Sequence, residues 1–161
     1  AARIRGELTD LERVVQRVQS AWPLAQQRPE EAAYLESVAL NLHGFYSGLE
    51  RLFELVARHV DGVTPAGETW HRDLLQRMAR DVAEVRPAVI HHNSVAGLDE
   101  FRRFRHLVRN LYTFNFVPEK LTGLIQALPP TWSSVRTELL AFAEFVEDLA
   151  RAEERGPSAD R

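Results

Sequence analysis

Apolar residues recur along this chain at intervals of three and four, the repeat of a helix with one buried face, and nowhere alternate with the period of two that marks a strand. Residues 4–27 open the pattern with Ile4, Leu8, Leu11, Val14, Val15 and Val18, and Pro23 is expected to kink this helix or end its regular part. Arg28-Pro29 marks a break, after which Pro29, Glu30 and Glu31 suit the first turn of the next helix. That second helix, over residues 29–60, is the longest predicted. Leu35, Val38, Leu42, Phe45, Leu49, Leu52, Phe53, Val56 and Val60 trace one stripe along it. Gly44 and Gly48 weaken it slightly and offer a neighbouring backbone a close approach.

Residues 61–67, DGVTPAG, form a loop by composition. Thr69 is placed to cap a third helix whose buried face would be Trp70, Leu74, Leu75, Met78, Val82 and Val85, ended by Arg86-Pro87. Residues 88–97 read as irregular and residues 98–116 as a fourth helix, stopped by Val117-Pro118. A short fifth helix over 118–127 and a last one after Pro129-Pro130 follow. The stripe of the last is Trp132, Val135, Leu139, Phe142, Phe145, Val146 and Leu149. With no repeat and no low-complexity tract, the expectation is all-α: an antiparallel helical bundle of four to six helices. Residues 1–153 are read as a single domain and 154–161, with Gly, Pro and Ser after charged residues, as a frayed tail.

The fourth segment carries the chemistry. Phe101, Phe104, Leu107, Val108 and Leu111 share one arc of a helix, and Arg102, Arg105, His106, Arg109 and Asn110 fill the adjoining arc, with Tyr112 at the seam beside Arg105. From Arg102 to Arg109 there are four Arg and one His and no Asp or Glu. Like charges three and four apart each cost a helix roughly 0.2–0.5 kcal/mol. An anion would relieve that repulsion, so the row is a candidate phosphate site. The alternative is a solvated face, or Arg residues that find acids elsewhere in the fold.

Composition narrows the field. At 161 residues the chain can bury roughly 70% of its unfolded surface. A net charge of −3 does not mark a nucleic-acid binder, so such a role must rest on a local patch. With no Cys, disulfides, thiolate ligands and a Cys nucleophile are excluded, which fits a reducing cytoplasm. No apolar run approaches the roughly 18 residues of a membrane span, and the N-terminus lacks the apolar core of a secretory signal. No cofactor is expected. The six His include the adjacent His91 and His92 but no pair at the helical spacing of metal ligands, so no metal site is expected either. His43 and His59 are read as surface or boundary residues, and His71 as a packing or polar-contact residue. Glycine-rich phosphate loops and GxSxG are absent. The Phe residues of the fourth segment are assigned to the core; Tyr112 is the one ring left to stack on a base.

The run Arg105-His106-Leu107-Val108-Arg109-Asn110-Leu111-Tyr112 resembles the motif of the HEPN superfamily: Arg, a polar residue, three variable positions, His, and Tyr two residues on. Arg105, His106 and Tyr112 match, while Asn110 stands at the His position. WHRDLL at residues 70–75, RPAVI at 86–90 and FRHLVRNLY at 104–112 look like HepT-like ribonuclease toxins, a likeness over roughly residues 34–128.

The resemblance implies a HEPN-like bundle that pairs as a homodimer, bringing two motif helices together across a cleft, and cuts RNA without a metal. The ribose 2′-hydroxyl would attack the adjacent phosphorus while the motif residues stabilise charge and move protons. Arg105 becomes the phosphate-stabilising residue, since a guanidinium offers a planar, permanently charged fork. His106 takes the polar second position. Asn110 can hold a hydrogen bond but is no base near neutral pH. His106, one turn before it on the same face, is the expected substitute, with Arg102 and Arg109 adding charge along the RNA. The family's partner is a minimal nucleotidyltransferase antitoxin that adds AMP to the motif Tyr, here Tyr112, placing a phosphate where an RNA phosphate belongs. Two functions follow: a ribonuclease toxin, or a module with the Asn110 change that binds RNA or the nucleotidyltransferase without cleaving.

Overall fold

The computed structural model describes residues 1–109 and 118–155, Arg109 by its backbone alone. Five helices are present among these: α1 (Ala2–Gln27), α2 (Ala32–His59), α3 (Trp70–Met78), α4 (Ser94–Arg109) and α5 (Pro118–Glu154). The chain is an all-α bundle. α1 and α2 form its largest pairing, an antiparallel hairpin in which Leu11 packs over Gly48. α5 runs antiparallel to α1: Arg5 pairs with Glu147, and Glu12 accepts from the Trp132 indole at 2.7 Å. α4 lies antiparallel to α5, with the Ser94 hydroxyl donating to Glu138 at 2.7 Å and Gly97 close against Thr131. Phe45 joins three helices, edge-on to Phe101 of α4 at 5.2 Å and to Trp132 of α5 at 5.9 Å.

Several expected boundaries move, each for a packing reason. α1 continues through Pro23 to Gln27, with Val18 and Ala25 buried on either side of the proline. α5 is one helix rather than two. Leu121, Leu128, Trp132, Val135, Leu139 and Phe142 are all buried and keep helical register across Pro129-Pro130, so the buried face offsets the backbone bonds the two prolines cannot make. α4 starts at Ser94, within the stretch expected to be irregular.

α3 stops at Met78, short of Val82 and Val85. The Met78 carbonyl accepts from the amides of Val89 and Ile90, and those two residues take the buried places foreseen for Val82 and Val85. Val85 is exposed. The Thr69 hydroxyl donates to the Asp73 carboxylate at 2.6 Å instead of capping a backbone amide. The two α2 glycines also separate: a Cβ on Gly44 would meet open space, whereas one on Gly48 would lie 2.7 Å from Leu11 Cδ2. The close approach at Gly48 is to a side chain, not a backbone.

α3 is fastened to the end of α2 by a buried ion cluster. The Asp61 carboxylate accepts from Arg77 Nε at 2.6 Å and from Arg86 Nε and Nη2 at 2.5 and 2.9 Å. The side chains of Asp61 and Arg86 are both fully buried. Arg86 also donates to the backbone carbonyls of Arg80 and Pro87, so one guanidinium ties together the turn after α3. Burial works to raise the Asp61 pKa, but the hydrogen bonds and charges of Arg86 and Arg77 outweigh it and hold the carboxyl below its ordinary value.

Candidate functional site

The site is built at the seam between α2 and α4. Taking Phe101 as the origin, about 100° per residue puts Phe104 near −60°, Val108 near −20° and Leu98 near +60°. All four are buried, so the inward arc of α4 is centred on Phe101. Arg105, near +40° by the same arithmetic, falls inside that arc and is carried toward α2. Leu107, near −120°, falls outside it and is 54% exposed, although it shares the apolar arc read from the sequence. Leu98, fully buried, shifts the inward face toward Arg105.

Arg105 is therefore mostly buried, and its guanidinium is anchored twice on α2. Nε donates to the Ser47 hydroxyl at 3.0 Å, and Nη2 lies 3.0 Å from Glu50 Oε1. Glu50 is 3% exposed in its side chain, and its second oxygen meets His71 Nδ1 of α3 at 2.6 Å. Trp70 stacks on the His71 ring with centroids 3.7 Å apart. One buried carboxylate thus bridges a guanidinium and an imidazole from two other helices. Both oxygens of the carboxylate are engaged, and removing either cationic partner would leave a buried charge poorly compensated. Tyr46, one turn before Glu50, is buried beside the cluster, and its hydroxyl has no hydrogen-bond partner among the described residues. Burial, and then the negative charge of Glu50, push its pKa above the usual phenol range.

The Arg row is not the unpartnered one expected. Arg102 Nε binds Asp99 at 2.6 Å, Arg103 binds Asp99 at 2.9 Å with Glu100 at 3.6 Å, and Arg105 binds Glu50. The acids come from the first turns of α4 itself and from α2, just outside the stretch in which none occurs. Self-repulsion is relieved internally, so the row offers directed N–H donors rather than a strong unscreened field. His106 is exposed and lies a further 100° or so around α4 from Arg105. The Arg109 side chain, Asn110 and Tyr112 lie outside the described residues.

Ser47, Glu50 and His71 were not singled out from the sequence as site residues. Glu50 did carry a signal: Tyr46, Glu50, Phe53 and Ala57 share one helical face, and the other three are fully buried apolar or aromatic residues. A carboxylate in that place needs a cationic partner. His71 had no comparable mark, because its partner is twenty-one residues away in sequence.

A separate cleft of about 460 Å³ opens beside α3, lined by Pro65, Trp70, Asp73, Leu74 and Arg77 among others. Its Arg77 is already committed to Asp61. Among the described residues no three His, Asp or Glu side chains converge as metal ligands, and no helix is long and apolar enough to cross a membrane.

A family model described as HepT-like protein matches residues 37–146, which span most of α2, all of α3 and α4, and most of α5. No curated protein and no solved structure matches the chain.

Proposed function

The chain belongs to the HepT-like family of the HEPN superfamily, and on that footing we propose that it is a ribonuclease toxin that needs no metal, acts as a homodimer and is neutralised by a minimal nucleotidyltransferase antitoxin. The observation that carries this reading is the double anchoring of Arg105 on Ser47 and Glu50. Those contacts engage Nε and Nη2, and among the described residues none engages Nη1. A guanidinium held in this way presents its remaining N–H groups with little reorganisation, which is what stabilising charge on a phosphate in the transition state requires. Arg102 and Arg109 extend the contact along the RNA backbone. Tyr112 follows at the motif's end, where AMP addition would set a competing phosphate near Arg105.

Purified protein incubated with RNA in excess chelator tests the proposal. Cleavage to 2′,3′-cyclic phosphate ends, lost in Arg105→Ala with helicity retained, is the expected result. Intact RNA after prolonged incubation would refute it. Mass spectrometry of the protein made with and without the nucleotidyltransferase should show one added AMP on Tyr112. An unmodified Tyr112 in an inhibited complex would reject that route of neutralisation. Size-exclusion with light scattering reads the dimer.

A second reading is favoured by one residue. Asn110 cannot transfer protons near pH 7, so a variant that keeps the fold and dimer while binding RNA or the nucleotidyltransferase without cleaving is the alternative. RNA retention with a steep salt dependence and no cut ends would identify it.

A further inference from the structure

We propose that His71 takes the proton from the attacking 2′-hydroxyl, in place of the absent motif His and instead of His106; the proposal rests on the ribonuclease reading above. The argument starts from Glu50. Its Oε1 holds Arg105 at 3.0 Å and its Oε2 holds His71 Nδ1 at 2.6 Å, so the guanidinium and the imidazole sit on the two oxygens of one carboxylate. A carboxylate that accepts from Nδ1–H fixes the neutral ring in the tautomer whose Nε2 carries the lone pair, and stabilises the imidazolium that forms when Nε2 takes a proton.

The same carboxylate is mostly buried, while the His71 side chain keeps 19% of its surface open. The ring thus has a supported inner edge and retains access to solvent. Trp70, stacked at 3.7 Å, restrains rotation of the ring about its side-chain torsions. Arg105 lies just across Glu50, so the guanidinium that would hold a phosphate and the imidazole that would take a proton are neighbours on one carboxylate. His106 follows Arg105 on α4 and is turned to the exposed side of that helix.

The step balances as follows. The 2′-hydroxyl proton passes to His71 Nε2, the O2′–P bond forms, and the P–O5′ bond breaks with its electron pair on O5′. Water protonates the departing oxygen, and His71 returns its proton to solvent. The products are a 2′,3′-cyclic phosphate and a 5′-hydroxyl. Glu50 is here a positioning residue, because it touches the imidazole and not the RNA.

The decisive variants separate the two edges of the ring. His71→Asn keeps a donor where Nδ1 meets Glu50 but has no counterpart of Nε2, and His71→Ala opens room for added imidazole. Single-turnover cleavage of a short RNA is measured for both, for His106→Ala and for Arg105→Ala, with thermal melts of each. The expected result is a melt like that of the wild type for His71→Asn, with cleavage slower by about 10²–10⁴-fold. Imidazole should restore part of the rate to His71→Ala but not to Arg105→Ala. Imidazole rescue is the readout a merely structural role does not move.

Cleavage by both His71 variants at rates close to the wild type, with Arg105→Ala dead, would overturn the assignment and leave the ribonuclease reading standing. A dead His106→Ala beside an active His71→Asn would give the role to His106. A loss in the His71 variants that tracks lost helicity and is untouched by imidazole would reduce His71 to a structural contact. No cleavage by the wild type at all would overturn both proposals together.

Discussion

Replacing Asp61 by Ala tests how α3 is held against the end of α2. In the native protein the Arg86 guanidinium is fully buried, and Asp61 is the counter-charge bound to it, shared with Arg77. The substitution would leave Arg86 its carbonyl partners on Arg80 and Pro87 but no carboxylate. Removing one partner of a buried pair costs about 3–5 kcal/mol, because the surviving charge stays desolvated. That is a large share of the roughly 5–15 kcal/mol that holds an ordinary domain together. At about 2–4 °C per kcal/mol for a chain of this size, the melting temperature should fall by roughly 6–20 °C.

Far-UV circular dichroism during thermal and urea unfolding near pH 7 reads the effect directly. The sign with pH follows from the depressed Asp61 pKa. The pair contributes fully above the ordinary aspartate value of 3.8, and its contribution is lost as pH falls below that toward the lower folded-state value. The gap between wild type and Asp61→Ala should therefore close in acid. Arg86→Met should cost at least as much as Asp61→Ala, since three backbone carbonyls lose a donor along with the carboxylate. A fall of less than about 3 °C in Asp61→Ala at neutral pH, or a gap that widens on acidification, would refute the reasoning. There is a functional corollary: a loosened α3 carries His71 away from Glu50, so cleavage in Asp61→Ala should fall even at temperatures where the bundle stays folded.

Gly44→Ala should stabilise by about 0.5–1 kcal/mol, read as a higher urea midpoint, because the new methyl meets open space and the helix gains propensity; a loss of stability would mean the site is filled. Tyr46→Phe should leave the melting temperature unchanged or raise it, since it removes a buried hydroxyl with no partner among the described residues; a drop of more than about 1 kcal/mol would reveal a bond to that hydroxyl. Phe45→Ala should cost about 3–5 kcal/mol in denaturant unfolding, because the ring is fully buried where α2, α4 and α5 meet; a cost near 1 kcal/mol would mean the cavity collapses freely. Arg105→Lys should retain the charge yet lose most of the cleavage rate, as an ammonium cannot bind Ser47 and Glu50 in one plane and still present donors to a phosphate; a rate near the wild type would show that charge alone suffices.

The apolar periodicity of this chain was enough to determine the all-α class, the span of α1 and the buried stripe of α2, because those features depend on which residues share a face of one helix. It misjudged places where distant segments compete for the same space. Val89 and Ile90 fold back onto Met78 and displace Val82 and Val85, and the stripe of α5 overrides Pro129-Pro130. The motif around Arg105 was also legible, since it is a local string of letters. What that Arg touches was not. Its acid lies fifty-five residues earlier, and the imidazole on that acid's other oxygen comes from a third helix. Charge in a sequence is counted along the chain, whereas desolvation and pairing are settled across it. The helices were therefore written locally, and the Glu50 cluster exists only once α2, α3 and α4 are packed together.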